Sequence, residues 1–329
     1  MVKPIILALD GGGTRALASI RFLQRLEEAT NQNMSEVVSA YAGVSAGALI
    51  CLSMASSLSS AQDLENSLFS HANLATIFDK SMWDRILPIQ TQPVYDGVGK
   101  HSVIQQNIPQ HLTLGDVTKP TAIVTYDLAS RQPVVFTSTD TPHVSVLELA
   151  DATSAAPIYF PPVKIGGRWH IDGGLIANNV GMQAVVEGHK LWGIGNFQVL
   201  SIGTGAKKDK HIDGNNAKHW GLLGWWLEGG LLDILSTSPQ DMVTNQCQTL
   251  LGDDFLRVDG DMVNTIALDD TSSESRKQLL ALGDQWFDEF GEAAVAMLTG
   301  KNRPLAREVL TLSRPTPRGE LRNTGCVVV

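Results

Sequence analysis

Cysteine is scarce in this sequence, with three residues in 329: Cys51, Cys247 and Cys326. Because they are odd in number and widely spaced, we expect neither disulfides nor a zinc site. Scarce, unpaired cysteines are typical of proteins in a reducing compartment, so a cytoplasmic location is expected. No metal and no cofactor is predicted.

Basic residues are outnumbered by acidic ones. The chain has 25 Lys and Arg against 34 Asp and Glu, which gives a formal net charge of −9. Such a charge repels nucleic acid and anionic lipid headgroups at long range, so nucleic-acid binding is not expected. Contact with a membrane surface should therefore be hydrophobic or covalent.

Long apolar runs are missing as well. No stretch of about 18 uncharged apolar residues occurs, so no transmembrane helix is predicted. The N-terminal MVKPIILALD has one lysine and only a few apolar residues before an aspartate, which predicts a first β-strand and not a signal peptide. No internal repeat is found.

The sequence does contain the alternation of an α/β protein. Short β-branched runs alternate with helical patterns, which predicts a mostly parallel central sheet flanked by helices. Apolar residues recur at helical spacing in LASIRFLQRLEEAT, and a second buried helix is predicted over 48–55. The predicted strands are 5–9, 38–42, 121–126, 134–137 and 199–202.

Composition divides the chain into three parts. We predict a core over 1–205, a helical C-terminal region over 206–302 packed on that core, and an extended tail over 303–329. Within the core, 56–110 is richer in Ser, Gln, Asn and aromatic residues, which predicts an irregular helical insertion over the sheet.

A glycine-rich motif, DGGGTR at 10–15, follows the first predicted strand and precedes a helix. Several backbone N–H groups then meet at a helix N-terminus, where an anion is favoured. The anion can be the oxyanion of an acyl-transfer reaction. It can also be a nucleotide phosphate, because actin-like sugar kinases carry a similar turn, and this motif alone leaves both interpretations open.

A second motif, GVSAG at 43–47, has the context of a nucleophile elbow. A strand precedes it, a helix follows, and the small residues Gly43 and Gly47 permit a tight turn that exposes the Ser45 hydroxyl. A serine hydroxyl is a weak nucleophile and needs a base. We therefore predict Ser45 as a nucleophile and look elsewhere in the chain for its base.

The base is predicted from a third motif, IDGG at 171–174. Asp172 ends a short apolar stretch and precedes Gly173 and Gly174, which allow another segment to approach closely. The histidines stand in unmarked sequence and are not predicted to be the base; they are at positions 71, 101, 111, 143, 170, 189, 211 and 219.

Taken together, the three motifs resemble those of the patatin-like phospholipases. SAAPIYFPP at 154–162 and LSIGTG at 200–205 are also similar to stretches of that family, and the resemblance spans about 5–205. It implies a patatin-like three-layer fold. It also implies a lipid acyl hydrolase of the phospholipase A or lysophospholipase type, with a dyad of Ser45 and Asp172, an acyl-serine intermediate, and phospholipid or lysophospholipid as substrate.

The resemblance further implies that the backbone amides of Gly11, Gly12 and Gly13, with the region of Arg15, stabilise the oxyanion. The family commonly has glycine at the position of Ala16, so this loop would be strained if that residue needed a positive φ. A protein or small-ligand activator fits the family pattern but is not identified. A third alternative is a membrane-associated scaffold that keeps the fold without the activity.

Two features near the C-terminus suggest membrane association. KHWGLLGWWLEGGLLDIL at 218–235 is apolar on several helical faces, which predicts either a buried wall of the core or a membrane contact through Trp220, Trp225 and Trp226. The final CVVV fits the prenylation pattern, so Cys326 is a candidate lipid anchor in a eukaryotic or host cytosol.

Overall fold

The computed structural model describes residues 3–57, 59–79, 92–205, 212–221, 224 and 231–300, with the side chains of 231–238 excepted. Trp225, Trp226 and Cys326 lie outside the described residues, as does the predicted tail over 303–329. The predictions made for them stay predictions.

The centre of the fold is an eight-stranded sheet with helices on both faces, which confirms the predicted fold class. The strands are β1 (Ile5–Leu9), β2 (Ala40–Val44), β3 (Thr121–Asp127), β4 (Gln132–Thr137), β5 (Val163–Ile165), β6 (Arg168–Asp172), β7 (Gln198–Ile202) and β8 (Phe255–Val258). Strands β8, β7, β1, β2 and β3 are parallel neighbours in that order, whereas β4 and β6 pair antiparallel with β3, and β5 pairs antiparallel with β6.

The pairing along β3 decides where two of the motifs lie. Strand β4 occupies one edge of β3, so β2 and β6 share the opposite edge, β2 beside its first part and β6 beside its second. The last residue of β2, Val44, pairs with Val124, and the last residue of β6, Asp172, pairs with the next residue, Thr125. The C-terminal ends of β2 and β6 therefore meet on adjacent positions of β3.

Helices cover both faces of this sheet. They are α1 (Ala16–Thr30), α2 (Met34–Val37), α3 (Ser45–Ser57), α4 (Ala61–Asn66), α5 (His71–Ile77), α6 (Val98–Asn107), α7 (Val146–Thr153), α8 (Gly174–Ala177), α9 (Gly181–Trp192), α10 (Gly214–Ala217), α11 (Leu231–Leu251) and α12 (Ser273–Thr299), with short 3₁₀ turns at Gly13–Arg15, Leu114–Asp116 and Gly252–Asp254. Among the described residues, none of these helices is long and apolar enough to span a bilayer.

Side-chain alternation along β1 divides the core into two layers. Ile5, Leu7 and Leu9 pack with the apolar faces of α1, α3 and α12, whereas Ile6 and Ala8 face α9 and α11 on the other side of the sheet. Successive strand residues point to opposite faces, so a parallel strand covered on both sides has a continuous apolar sequence, as IILAL does.

The structure differs from the sequence-based expectation in several elements. Strand β2 begins later than predicted because Val38 follows the end of α2 with a backbone N–H bond to Met34, and is not part of the strand. Strands β5, β6 and β8 were not predicted, since each is short and contains a charged residue. The C-terminal region is helical in α11 and α12, but it also contributes β8 to the central sheet.

Candidate active site

Ser45 lies at the sharp turn between β2 and α3. Its φ is +53°, a left-handed conformation that costs a non-glycine residue about 1–3 kcal/mol. The turn is held from outside, because the Ser45 N–H donates to Thr153 Oγ1 at 3.0 Å and that hydroxyl donates to the Val124 carbonyl at 2.7 Å. A half-buried serine in a strained strand-to-helix turn has the geometry of a nucleophile elbow.

Glycine allows the DGGGTR loop to lie directly against this turn. A Cβ on Gly47 would stand 2.3 Å from the Leu9 carbonyl oxygen, and a Cβ on Gly11 would stand 2.9 Å from Ser45 Cβ. Both contacts are too short for any larger residue. A Cβ would also come within 3.0 Å of a neighbouring atom at the other motif glycines: Gly12, Gly13, Gly43, Gly173 and Gly174.

The loop presents backbone donors beside Ser45. In the described part of the chain, no protein acceptor takes the N–H groups of Gly11 and Gly12. The donors of Thr14 and Arg15, which follow the three glycines, are occupied, because the Thr14 N–H donates to the Leu268 carbonyl at 2.8 Å and the Arg15 N–H donates to the Gly12 carbonyl at 3.1 Å. The amide of Arg15 is therefore not available to an oxyanion, whereas the glycine amides fit the predicted role.

Ala16 does not strain this loop. Its φ is −59°, in the right-handed helical region, and it begins α1. The strain expected if alanine needed a positive φ at this position is therefore absent, because an L-residue adopts the observed conformation freely.

Asp172 faces the same point from the end of β6. Its carboxylate is buried, and Oδ1 accepts the Gly174 N–H at 2.7 Å, while its main-chain N–H donates to the Ala155 carbonyl at 3.0 Å. Burial raises the pKa of Asp172 from 3.8 to about 6, against smaller lowering effects of a hydrogen bond from the Ser45 hydroxyl and of the Lys100 charge. This carboxylate is consequently a stronger base than an exposed aspartate.

The histidine nearest in sequence to Asp172 is His170, on the same strand. Its ring is buried, Nδ1 is hydrogen-bonded to Thr125 Oγ1 at 3.0 Å, and an edge contact joins it to Phe136. Burial lowers the pKa of His170, which keeps the ring neutral. The other described histidines are exposed, at 71, 101, 111, 143, 189 and 219.

A buried ion-pair network supports the DGGGTR loop, and sequence reasoning missed it. Arg257 Nη2 donates to Asp10 Oδ2 at 2.5 Å and to Asp259 Oδ2 at 2.7 Å, and Nη1 donates to Ser201 Oγ at 2.8 Å. Burial raises the pKa of Asp10 to about 6 although Arg257 lowers it. The arginine within the apolar run FLRV was the available signal, since a charge in a buried strand needs partners.

Asn178 and Thr153 were also missed. Asn178 Oδ1 lies 2.6 Å from the position that a Cβ on Gly11 would occupy and 3.1 Å from the corresponding position on Gly174, so it stands between the loop and the end of β6. Nothing in the sequence around either residue marks it, because each acts through contacts between distant segments.

Exposed apolar side chains flank the site. Ile158 is 68% exposed at φ +77°, and Leu175 and Ile176 on α8 are 62% and 46% exposed. They lie within a few residues of Ala155 and Asp172, which are joined by the hydrogen bond described above. We call Ile158, Leu175 and Ile176 the apolar rim. Of the predicted membrane-contact tryptophans, Trp220 is described and is half-buried.

Within the described ranges, no cluster of three or more His, Cys, Asp or Glu side chains is arranged to hold a metal ion. Cys51 and Cys247 are both buried and free.

Several known proteins are similar to this chain. The family model described as Patatin-like phospholipase matches residues 7–185, more than half of the chain. Patatin-like protein 4 of Arabidopsis thaliana is 27% identical to this chain, and the aligned region covers 86% of this chain and 83% of that protein. A cGAMP-activated phospholipase of Pseudomonas aeruginosa is 26% identical over 77% of each chain. The solved structure of VipD from Legionella pneumophila is 16% identical, with a TM-score of 0.49, over 87% of this chain and 67% of VipD.

Proposed function

Because the chain belongs to the patatin-like phospholipase family, we propose that it hydrolyses the carboxylic esters of phospholipids or lysophospholipids, with Ser45 as nucleophile and Asp172 as base. The observation that carries the proposal is the meeting of β2 and β6 on one edge of β3, beside the glycine amides of the loop. Relatives named as phospholipases support the substrate class.

In the proposed reaction, Asp172 accepts the hydroxyl proton while Ser45 Oγ attacks the ester carbonyl carbon. The amides of Gly11 and Gly12 donate to the oxyanion of the tetrahedral intermediate, where loss of one such donor typically costs about 3–4 kcal/mol. Asp172 returns the proton to the leaving alcohol, and an acyl-serine remains. Water then attacks the acyl group and gives a proton to Asp172, and Asp172 passes this proton to Ser45 Oγ as the acyl bond breaks and the fatty acid leaves.

A fluorophosphonate tests the nucleophile directly. We expect mass spectrometry to find one covalent adduct on the peptide that contains Ser45, because the elbow exposes this hydroxyl beside a base. The same reagent should leave the Ser45→Ala variant unlabelled. Absence of an adduct on that peptide in the folded wild-type protein would remove the acyl-serine mechanism and leave the scaffold alternative.

The pH dependence follows from the raised pKa of Asp172. A base must be deprotonated, so kcat/KM for a soluble nitrophenyl ester should fall by about tenfold per pH unit below about pH 6 and be level above it. An exposed aspartate would place the same decline near pH 4. A profile that is flat down to pH 4.5 in the folded protein would contradict the burial argument.

We assign DGGGTR to oxyanion binding and not to the binding of a nucleotide phosphate, as in actin-like sugar kinases. Its glycines pack against Ser45, and the family match includes all three motifs. Hydrolysis of a nitrophenyl ester without ATP is the corresponding functional test.

We also propose that the protein is cytoplasmic and associates with membrane surfaces peripherally through the apolar rim. With a net charge of −9, attraction to the bilayer has to come from apolar contact. The double variant Leu175→Ser with Ile176→Ser should lower co-sedimentation with phosphatidylcholine vesicles severalfold and reduce phospholipid turnover more than soluble-ester turnover. Val263→Ser is the control, since Val263 is 88% exposed outside the rim. Equal vesicle binding of the double variant and the control would contradict the assignment.

A small-ligand activator belongs to the proposal as well. The relatives of Pseudomonas aeruginosa and Vibrio cholerae bear the name cGAMP-activated phospholipase. Ester hydrolysis measured with and without cGAMP tests whether the same dependence holds here.

A further inference from the structure

Lys100 on α6 is a buried lysine close to the proposed dyad. It is 2% exposed, which is rare for lysine because burying an ammonium group is costly without partners. Its Nζ donates to the Asp151 carbonyl at 2.5 Å and to Ser154 Oγ at 3.2 Å, and lies 2.6 Å from Asp151 Oδ1. The ring of Phe160 covers it at 5.0 Å.

These contacts fix the C-terminal end of α7, where the unpaired carbonyls of a helix attract a cation. Residues 151–155, which include the anchored end of α7, form hydrogen bonds with both proposed catalytic residues. Thr153 Oγ1 accepts the Ser45 N–H at 3.0 Å, and the Ala155 carbonyl accepts the Asp172 N–H at 3.0 Å. A displacement of this segment would therefore move nucleophile and base together.

Charge gives a second link between Lys100 and the dyad. Burial lowers the pKa of Lys100 and raises the pKa of Asp172, and the charge of each group opposes the shift of the other. The other titratable groups of this cluster are Asp151, which pairs with Lys100, and His101, whose Nδ1 lies 2.9 Å from Asp151 Oδ2. The Lys100 ammonium group thus pairs with the Asp151 carboxylate from α7 and interacts electrostatically with the Asp172 carboxylate from β6.

We propose that Lys100 is a positioning residue of the dyad, which anchors segment 151–155 and supplies the positive charge that faces the Asp172 carboxylate. The inference rests on the proposed function, and it adds a residue that no motif marks. Lys100 does not touch the reacting atoms. Its effect has to appear in the pH dependence of the reaction and not in the rate alone.

The test compares variants of the full chain by the pH dependence of fluorophosphonate labelling at Ser45 between pH 5 and 9. Lys100→Met removes the charge and nearly preserves the shape of the side chain. We expect the acid limb, which is the pH range over which labelling of Ser45 declines toward acidic pH, to move up by about one pH unit, in the range that loss of a nearby opposite charge produces. Lys100→Arg should bring the limb back toward wild type. Lys164→Met is the control, because the exposed Lys164 lies over the Trp169 ring and has no ion pair or hydrogen bond with Asp151 or Asp172 among the described residues, so it should leave the limb unchanged.

A double variant protects the test against misfolding. In Lys100→Met alone, the unpaired Asp151 carboxylate could unfold the site or repel Asp172. Lys100→Met with Asp151→Asn removes that charge, and its limb should still lie above that of the wild type. If folded variants label more slowly at every pH with an unmoved limb, Lys100 is a packing residue and the inference is wrong. If wild-type Ser45 is not labelled at all, the proposed function fails instead.

Discussion

Ser45→Ala is expected to lower kcat/KM for ester hydrolysis by on the order of 10⁴-fold or more, the scale at which loss of a nucleophile acts. The fold should persist, because Thr153 still accepts the main-chain N–H of this residue. Ser53→Ala on the same helix is the matched control, since the buried Ser53 hydroxyl has no hydrogen-bond partner among the described residues. Circular dichroism and turnover of a nitrophenyl ester measure the two effects.

Asp172→Asn should reduce activity on a similar scale while increasing stability at neutral pH. The folded-state pKa of Asp172 is raised from 3.8 to about 6, so the folded protein binds this proton more tightly than the unfolded chain does. Stability from this group is therefore present below about pH 4 and is lost as pH rises through about 6. At 1.36 kcal/mol per pKa unit, ionised Asp172 costs on the order of 3 kcal/mol at pH 7, and a neutral asparagine avoids it.

Urea unfolding at pH 7 and at pH 4.5 checks both parts of this expectation. The stabilisation by Asp172→Asn should be largest at pH 7 and should shrink at pH 4.5, where the wild-type carboxyl is already protonated. Substantial ester hydrolysis by the folded variant would show that Asp172 is not the base, and His170 on the same strand would be examined next.

Arg257→Met is expected to destabilise the fold by about 3–5 kcal/mol, because it leaves the buried Asp10 carboxylate without its ion-pair partner. The loss should grow with pH, since Arg257 lowers the pKa of Asp10 and its removal makes the ionised carboxylate costlier. Activity should fall as well, because Asp10 is the first residue of the loop that carries the glycine amides. Urea unfolding at pH 5 and pH 8 measures the dependence.

Two further variants distinguish the cost of an unpaired buried charge from the cost of losing an ion pair in general. Adding Asp10→Asn to Arg257→Met should recover part of the lost stability, because no unpaired charge remains in the interior. Lys3→Met removes a half-exposed ion pair with Asp254 and should cost only about 0–1 kcal/mol. Equal losses for Lys3→Met and Arg257→Met would contradict the importance of burial.

The local chemistry of the site could be predicted from the sequence because it depends on short segments. An apolar strand followed by DGGG, and a strand followed by GVSAG and a helix, specify tight turns through residue types that tolerate them. The same reasoning found β1, β3, β4 and β7, whose sequences are rich in apolar and β-branched residues. It missed β6, because RWHID is short and half polar, and it missed β8, which contains a charged residue.

The sequence by itself determined the class of the fold, the three motifs, and the candidates Ser45 and Asp172, since each is written in neighbouring residues. Only the tertiary structure decided that these residues meet, because β2 and β6 reach the same edge of β3 from opposite directions and end on adjacent positions. It also decided that burial raises the pKa of Asp172, that Arg257 pairs with Asp10, and that Lys100 is buried beside Asp151. Burial and pairing between distant segments depend on long-range packing, which cannot be inferred from a local sequence pattern.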